Sequence, residues 1–277
     1  MSVRKFIKRK ISLLRHVDFV TQRIDYENRK KAQVLKKYGY PNGFPTVDLF
    51  ELLPAFDETI EPYSFLDVAA SPIDIAILKG LARKIKDCRY LEIGALRGES
   101  IANVASVARE CVSLSLPPNE MRQFGYSEDL INSHGFFLKG LANVSHICHN
   151  SQTFDFISLK KKFDLIFIDG DHYDESVRMD TINAFRVLRN DNSMIVWHDY
   201  GFTPGNIRWS VFAGILAGTA PEKRKRIYHI SNSLCAIYVN RDFQSLSSSQ
   251  PEIPDKLFSV TISCKKGLLP NGKIGKN

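Results

Sequence analysis

The sequence predicts an α/β fold: a doubly wound sheet, mostly parallel, with an antiparallel C-terminal strand and a helical N-terminal extension. Three observations predict it. Between residues 89 and 197, short and nearly continuous apolar runs alternate with helical stretches, and strands apolar on both faces belong to parallel sheets covered by helices on each side. Beyond them, residues 226–230 and 234–239 are joined by Ser231-Asn232-Ser233 alone, a connection that suits an antiparallel hairpin. Ahead of them, residues 1–40 hold twelve basic residues against three acids, a composition unlike the rest of the chain.

Residues 3–37 place Phe6, Ile7, Ile11, Leu14, Val17, Ile24, Val34 and Leu35 at loose helical spacing among basic side chains, which predicts one or two amphipathic helices. Gly39 and Pro41 then stop the helix, glycine as a C-cap and proline by biasing its neighbour out of the α region. Residues 44–65 hold Pro45, Pro54 and Pro62 among Leu49, Phe50, Leu52, Leu53 and Phe56, which reads as an ordered loop with a short helix, suited to covering something. Ser71-Pro72 is an N-cap followed by proline at the first helical position, and Ile73, Ala76, Ile77, Leu81 and Ile85 make the apolar face of the helix it opens. Strands are predicted at residues 89–94, 111–116, 144–148, 163–169 and 193–197, with helices at 99–110 and 175–188. The division expected is a basic helical extension and lid over residues 1–70, one α/β domain over 71–241 and a tail over 242–277.

With 277 residues, 44% hydrophobic and 25% charged, the chain has enough apolar content for a large core, which excludes disorder as the whole answer. Its net charge of +8 is concentrated: residues 1–40 sum to +9, leaving −1 for the remainder. A body without excess positive charge argues against nucleic acid as a partner, because backbone affinity scales with the phosphates neutralised. The basic segment has two open readings. It is a helical cap over the site, with residues 44–65 as a lid, or a peripheral membrane contact through residues 1–40, where each Lys or Arg near anionic lipid contributes roughly 1 kcal/mol. The five cysteines form no C-x-x-C pair, and Cys88, Cys111, Cys148 and Cys235 fall in or beside apolar runs, which predicts small buried thiols in a reducing compartment. No signal-peptide core is present and the run 211–221 is too short to span a bilayer. The expected localisation is cytoplasmic, at the inner face of a membrane if the basic segment is an anchor. A monomer and a homo-oligomer both stay open.

Three stretches can carry chemistry. Tyr90-Leu91-Glu92-Ile93-Gly94-Ala95-Leu96-Arg97-Gly98-Glu99-Ser100 is an apolar strand ending in an acid, then a turn with two glycines, then a helix. Such a turn lets a ligand approach the backbone at the carboxyl end of a strand, where open α/β sheets bind ligands. The second is His149-Asn150-Ser151-Gln152 after the third strand, and the third is Asp169-Gly170-Asp171-His172 with His198-Asp199 a helix later. If residues 163–169 and 193–197 are neighbouring parallel strands, Asp169, His198 and Asp199 project from one sheet edge.

In that order the motifs resemble class I S-adenosylmethionine-dependent methyltransferases with their Rossmann-like sheet. The form E-I-G-x-x-x-G-x-S is similar to the small-molecule O-methyltransferases of the catechol and macrocin types. The resemblance spans about residues 73–239. It implies that Glu92, Gly94 and Gly98 line the methionine end of S-adenosylmethionine, that Ser100 meets its carboxylate, and that Asn150, Ser151 and Gln152 meet its adenine, with Asp169 beside it. The acid that holds the ribose in this family is replaced by Ser115, with Glu120 nearby as a substitute. The family's divalent ion would fall on Asp169, or Asp171 in its place, and on His198 and Asp199, where Mg²⁺ suits the oxygens and imidazole favours Mn²⁺. The family's basic lysine falls on His172, whose ordinary pKa near 6.5 lets it take a proton at neutral pH. The acceptor implied is a small molecule or glycan. Two alternatives stand beside this: a metal-independent methyltransferase, and an inactive cofactor-binding module docking through its basic N-terminus.

Overall fold

The computed structural model describes residues 3–203, 206–244 and 255–265, and the backbone alone for residues 3–19. In chain order its elements are α1 (Val3–Tyr38), β1 (Thr46–Val47), α2 (Leu49–Leu52), α3 (Pro72–Arg83), β2 (Arg89–Ile93), α4 (Glu99–Ala105), β3 (Glu110–Ser115), α5 (Pro118–Gln123) and α6 (Glu128–Asn132). They continue with β4 (Val144–Cys148), β5 (Leu165–Ile168), α7 (Asp174–Val187), β6 (Met194–Trp197), β7 (Gly201–Thr203), β8 (Asn206–Ile207), α8 (Trp209–Gly218), α9 (Pro221–Arg224), β9 (Ile227–Ile230) and β10 (Ala236–Tyr238). The expected strands, the helix from Ser71-Pro72 and the helix of residues 175–188 are present within a few residues of their expected ends. The basic segment forms one helix.

Eight strands make one sheet in the order β1-β9-β10-β6-β5-β2-β3-β4. The five strands from β2 to β6 are parallel to one another, so their carboxyl ends share one edge. The antiparallel C-terminal strand expected from the sequence is β10, which is not an edge strand. It lies between β6 and β9 and is antiparallel to both. The edge beyond β9 is taken by β1, which runs parallel to it, joined through His229 N–H to the Pro45 carbonyl (2.9 Å) and Ser231 N–H to the Val47 carbonyl (3.0 Å). These pairs satisfy donors that would otherwise lie open on an edge strand.

Side chains alternate between two cores. On one face Leu91, Ile93, Ile166, Ile168 and Trp197 pack with α7 and α8, together with Val34 of α1 and Phe44. On the other, Tyr90, Cys111, Leu165, Phe167 and Val196 pack beneath α3 and α4. Helix α8 is largely buried, and it approaches α7 so closely that a Cβ at Gly214 would stand 2.6 Å from the Asp174 carbonyl. The thiols of Cys88, Cys111 and Cys235 are buried as expected, but Cys148 is exposed, because β4 is the outer strand and no strand among the described residues pairs beyond it. No helix among the described residues is long and apolar enough to cross a membrane.

Candidate active site

At the carboxyl edge of β5 and β6, three acids and two histidines converge. Asp169 follows β5, and His198-Asp199 follows β6, one residue past the register pair Ile168 and Trp197. Asp199 adopts φ +54°, a left-handed backbone that Asp tolerates better than most residues, and its carboxylate turns back into the cluster. Its Oδ2 lies 2.6 Å from His172 Nε2 and 3.2 Å from His198 Nδ1, and its Oδ1 lies 3.4 Å from Arg208 Nη2. Those partners outweigh burial and hold the Asp199 carboxyl far below the usual carboxylate range.

His198 is buried and flanked by acids. Its Nε2 stands 3.3 Å from Asp74 Oδ2, and its Nδ1 stands 3.1 Å from Asp169 Oδ1. Burial opposes a charge on the ring, but Asp169, Asp199 and Asp74 together raise its pKa well above the ordinary histidine value. An imidazolium there is a fixed cation between Asp169 and Asp199. Neither carboxylate lies along the Nδ1–H direction, so that buried donor is at ion-pair distance without a directed hydrogen bond.

Asp74 is the member the sequence reading missed. It is fully buried near the start of α3, where it accepts from Ser71 Oγ (2.6 Å) and the Leu234 N–H (3.1 Å). The available signal was an acid within an otherwise apolar helical face, three residues after an N-cap serine. Asp171, by contrast, stays outside the cluster: its two oxygens accept from the His172 N–H and Ser176 Oγ, both at 2.7 Å. It closes the turn that carries His172 into α7. His172 is partly exposed, beside a narrow cavity lined by Ile168, Asp169, Gly170, Trp197 and His198.

The glycine turn lies beside this cluster, on the next strand. Gly94 has φ +108°, and a Cβ there would sit 2.1 Å from the Asp169 carbonyl oxygen and 2.5 Å from Gly170 N. Only glycine lets the ends of β2 and β5 approach this closely. Gly98 caps α4 in the left-handed region. Glu92 is buried, and both of its oxygens are engaged, accepting from Ser100 Oγ (2.5 Å) and Tyr90 Oη (2.7 Å). The structure thus brings Glu92 and Ser100 together and bonds them to each other.

Burial pushes the Glu92 carboxyl up to about 7. A carboxyl raised in the folded state contributes stability that is present below its unfolded pKa and is lost as pH rises through the folded value. Between pH 5 and 8 the wild type is therefore expected to lose roughly 2 to 3 kcal/mol relative to Glu92→Gln. Thermal melts of both proteins across that range check this. Parallel curves would contradict it.

The loop after β4 is tied at both ends. Asn150 Nδ2 donates to Glu120 Oε2 (2.7 Å), while Gln152 Nε2 donates to Asp180 Oδ1 (3.1 Å) and lies 3.2 Å from Ser151 Oγ. Asp180, on α7, is buried and its carboxyl is pushed up to about 7 by that burial. It is a second buried acid that sequence reasoning passed over. Ser115 ends β3 in a buried position, with its hydroxyl 3.4 Å from His146 Nε2. Glu120 is therefore held by Asn150, on the neighbouring strand-end loop.

Helix α1 braces the loop that carries His172. Tyr26 Oη donates to Asp174 Oδ1 (2.5 Å) and Lys30 Nζ pairs with Asp174 Oδ2 (2.7 Å), while Arg23 lies 5.5 Å over the Tyr173 ring. Glu27 accepts from the Ser210 N–H (3.0 Å) and Ser210 Oγ (2.7 Å), a carboxylate on the free N–H groups that open α8. Several charges in the second half of this helix are thereby spent on the body of the molecule.

The family described as "Methyltransferase domain" matches residues 91–200, a span that holds Glu92 through Asp199. No curated protein is significantly similar to the chain. Among solved structures, the chain is similar to cofactor-bound Rv0187 from MTB, at 20% identity over 78% of this chain and 98% of that one, with a TM-score of 0.46. It is similar to the O-methyltransferase TomG from Streptomyces achromogenes, at 17% identity over 63% and 83%, with a TM-score of 0.44. It is also similar to CalS10, an amino pentose methyltransferase from Micromonospora echinaspora, at 18% identity and a TM-score of 0.34. That match covers 46% of this chain and 48% of CalS10, so it spans about half of that protein's length.

Proposed function

We propose that this chain, whose residues 91–200 match a methyltransferase-domain family, is a class I S-adenosylmethionine-dependent methyltransferase that transfers a methyl group to a hydroxyl of a small molecule or glycan. The observation that carries the reading is the His172–Asp199 pair: an imidazole at the rim of the sheet edge, 2.6 Å from a carboxylate that orients it. A base so placed accepts the hydroxyl proton as the oxygen becomes a nucleophile. When bound, S-adenosylmethionine supplies an electrophilic methyl on sulfur. The protein's part is to hold the two reactants in line, which accounts for much of the rate in such a transfer.

Glu92, Gly94, Gly98 and Ser100 would hold the methionine end of the cofactor, Ser115 and Glu120 the ribose, and Asn150, Ser151 and Gln152 the adenine, with Asp169 alongside. In support, β2, β3, β4 and β5 are adjacent and in parallel register, pairing Ile93 with Leu114 and Ile168, and Ser115 with Cys148. The acceptor would enter beside His172. The N-terminal segment we read as a helical cap, because residues 23–30 contact Tyr173, Asp174 and Ser210 next to that base.

A second reading rests on a specific observation: Asp169, His172 and Asp199 each offer a ligand atom, and all three atoms lie within 4.8 Å of one another. Two hard carboxylate oxygens and an imidazole suit Mn²⁺ or Mg²⁺, which would lower the acceptor's pKa. His198 is the ligand this reading gives up, since its two nitrogens already face Asp74 at 3.3 Å and Asp169 at 3.1 Å. His198 already faces both carboxylates, 3.1 Å from Asp169 and 3.2 Å from Asp199, and on that geometry the metal-independent reading is preferred. A methyl-transfer screen over sugar, phenol and polyketide hydroxyls, run with Mg²⁺, with Mn²⁺ and with EDTA, separates the two. Turnover unchanged by EDTA is expected. Turnover that needs an added divalent ion would overturn the preference.

A further inference from the structure

A second cluster of ligating side chains lies on the outer side of the sheet and has no part in the reading above. His146 and Cys148 are two residues apart on β4, so they share a face, and His134 reaches them from the loop after α6. One ligand atom from each lies within 4.8 Å of the other two. His146 Nε2 is 3.4 Å from Cys148 Sγ, close to the roughly 3.5 Å that tetrahedral zinc imposes between an imidazole nitrogen and a thiolate sulfur.

The other ring nitrogen of His146 is already placed. His146 Nδ1 lies 3.1 Å from Ser113 Oγ, a buried hydroxyl of β3, and a hydrogen bond on the second nitrogen fixes the ring and tautomer of a metal-binding histidine. The rings of His134 and His146 meet edge to face at 5.1 Å. Cys148 is a free, exposed thiol. The set is soft, two nitrogens and one sulfur, unlike the oxygen-rich group at Asp169 and Asp199.

We propose that His134, His146 and Cys148 form a binding site for a thiophilic metal ion, Zn²⁺ or a metal of similar softness, with a fourth position open to solvent. Binding would release the Cys148 thiol proton to solvent and form a metal–sulfur bond, with no change of oxidation state.

The test uses the full chain free of a histidine tag. Zn²⁺ alone is titrated by calorimetry at about 10 µM protein, and Co²⁺ alone is followed by absorption. The expected result is one equivalent of Zn²⁺ bound, with a thiolate-to-cobalt charge-transfer band in the near ultraviolet. Cys148→Ser should abolish that band, and His146→Ala should weaken Zn²⁺ binding by more than about tenfold. Cys264→Ser, which alters the other exposed thiol, should leave both unchanged. Absence of a thiolate band in the wild type would overturn the proposal whatever the variants do. So would Zn²⁺ affinity unchanged in folded Cys148→Ser and His146→Ala, which would leave a hydrogen-bonded cluster only.

Discussion

Replacing His172 with alanine is expected to lower turnover by about 10² to 10⁴-fold, the range for loss of a positioned general base, while S-adenosylmethionine binding stays within a few-fold of the wild type. The separation follows from geometry. His172 faces Asp199 at 2.6 Å, on the loop between β5 and α7, whereas the residues assigned to the cofactor, Asp169 apart, sit at or after the ends of β2, β3 and β4. Asp199→Asn should lower turnover by a smaller factor, since it removes the orienting charge and keeps the base. Calorimetry with the cofactor beside methyl-transfer rates reads both halves. Loss of cofactor binding in His172→Ala would mean that the site is wrongly placed, and wild-type turnover would remove the base from the mechanism.

Replacing Gly94 with alanine is expected to destabilise the fold by roughly 2 to 5 kcal/mol, combining left-handed strain with overpacking. The neighbour that a Cβ would meet is backbone, the Asp169 carbonyl at 2.1 Å, and backbone in a parallel sheet cannot swing aside as a side chain does. Relief requires β2 and β5 to part at the edge where Asp169 begins. Melting should drop by roughly 5 to 15 °C and cofactor binding should fall with it. Gly39→Ala is the control: it too has a positive φ, +74°, but a Cβ there has nothing within 4 Å. Equal melting temperatures for the two variants would show that the close approach carries no weight.

The runs of β2, β3, β5 and β6 were legible because strands buried on both faces are mostly apolar, and the hairpin of β9 and β10 was legible from its short connection. Helix α8 was not: with Ser210 and Phe212 to Leu216 all buried, it has no polar face to give a 3.6-residue rhythm, so it reads only as a weakly polar run. Strand β1 is two residues long and takes its identity from pairing with β9. The site divides in the same way. Asp169, His172, His198 and Asp199 could be grouped in advance, because adjacent parallel strands must end side by side. Asp74 could not, since it reaches His198 across 124 residues of sequence from a helix on the far side of the core. The exposure of Cys148 depended on β4 being the outer strand, which is a property of sheet order.

The carboxyl edge of this sheet is expected to bind S-adenosylmethionine. Titration of the full chain with S-adenosylmethionine in a calorimeter tests it most directly. Saturable one-site binding in the micromolar range is the expected result, weakened in Gly94→Ala. No heat of binding at high micromolar cofactor, with a folded protein in the cell, would contradict it.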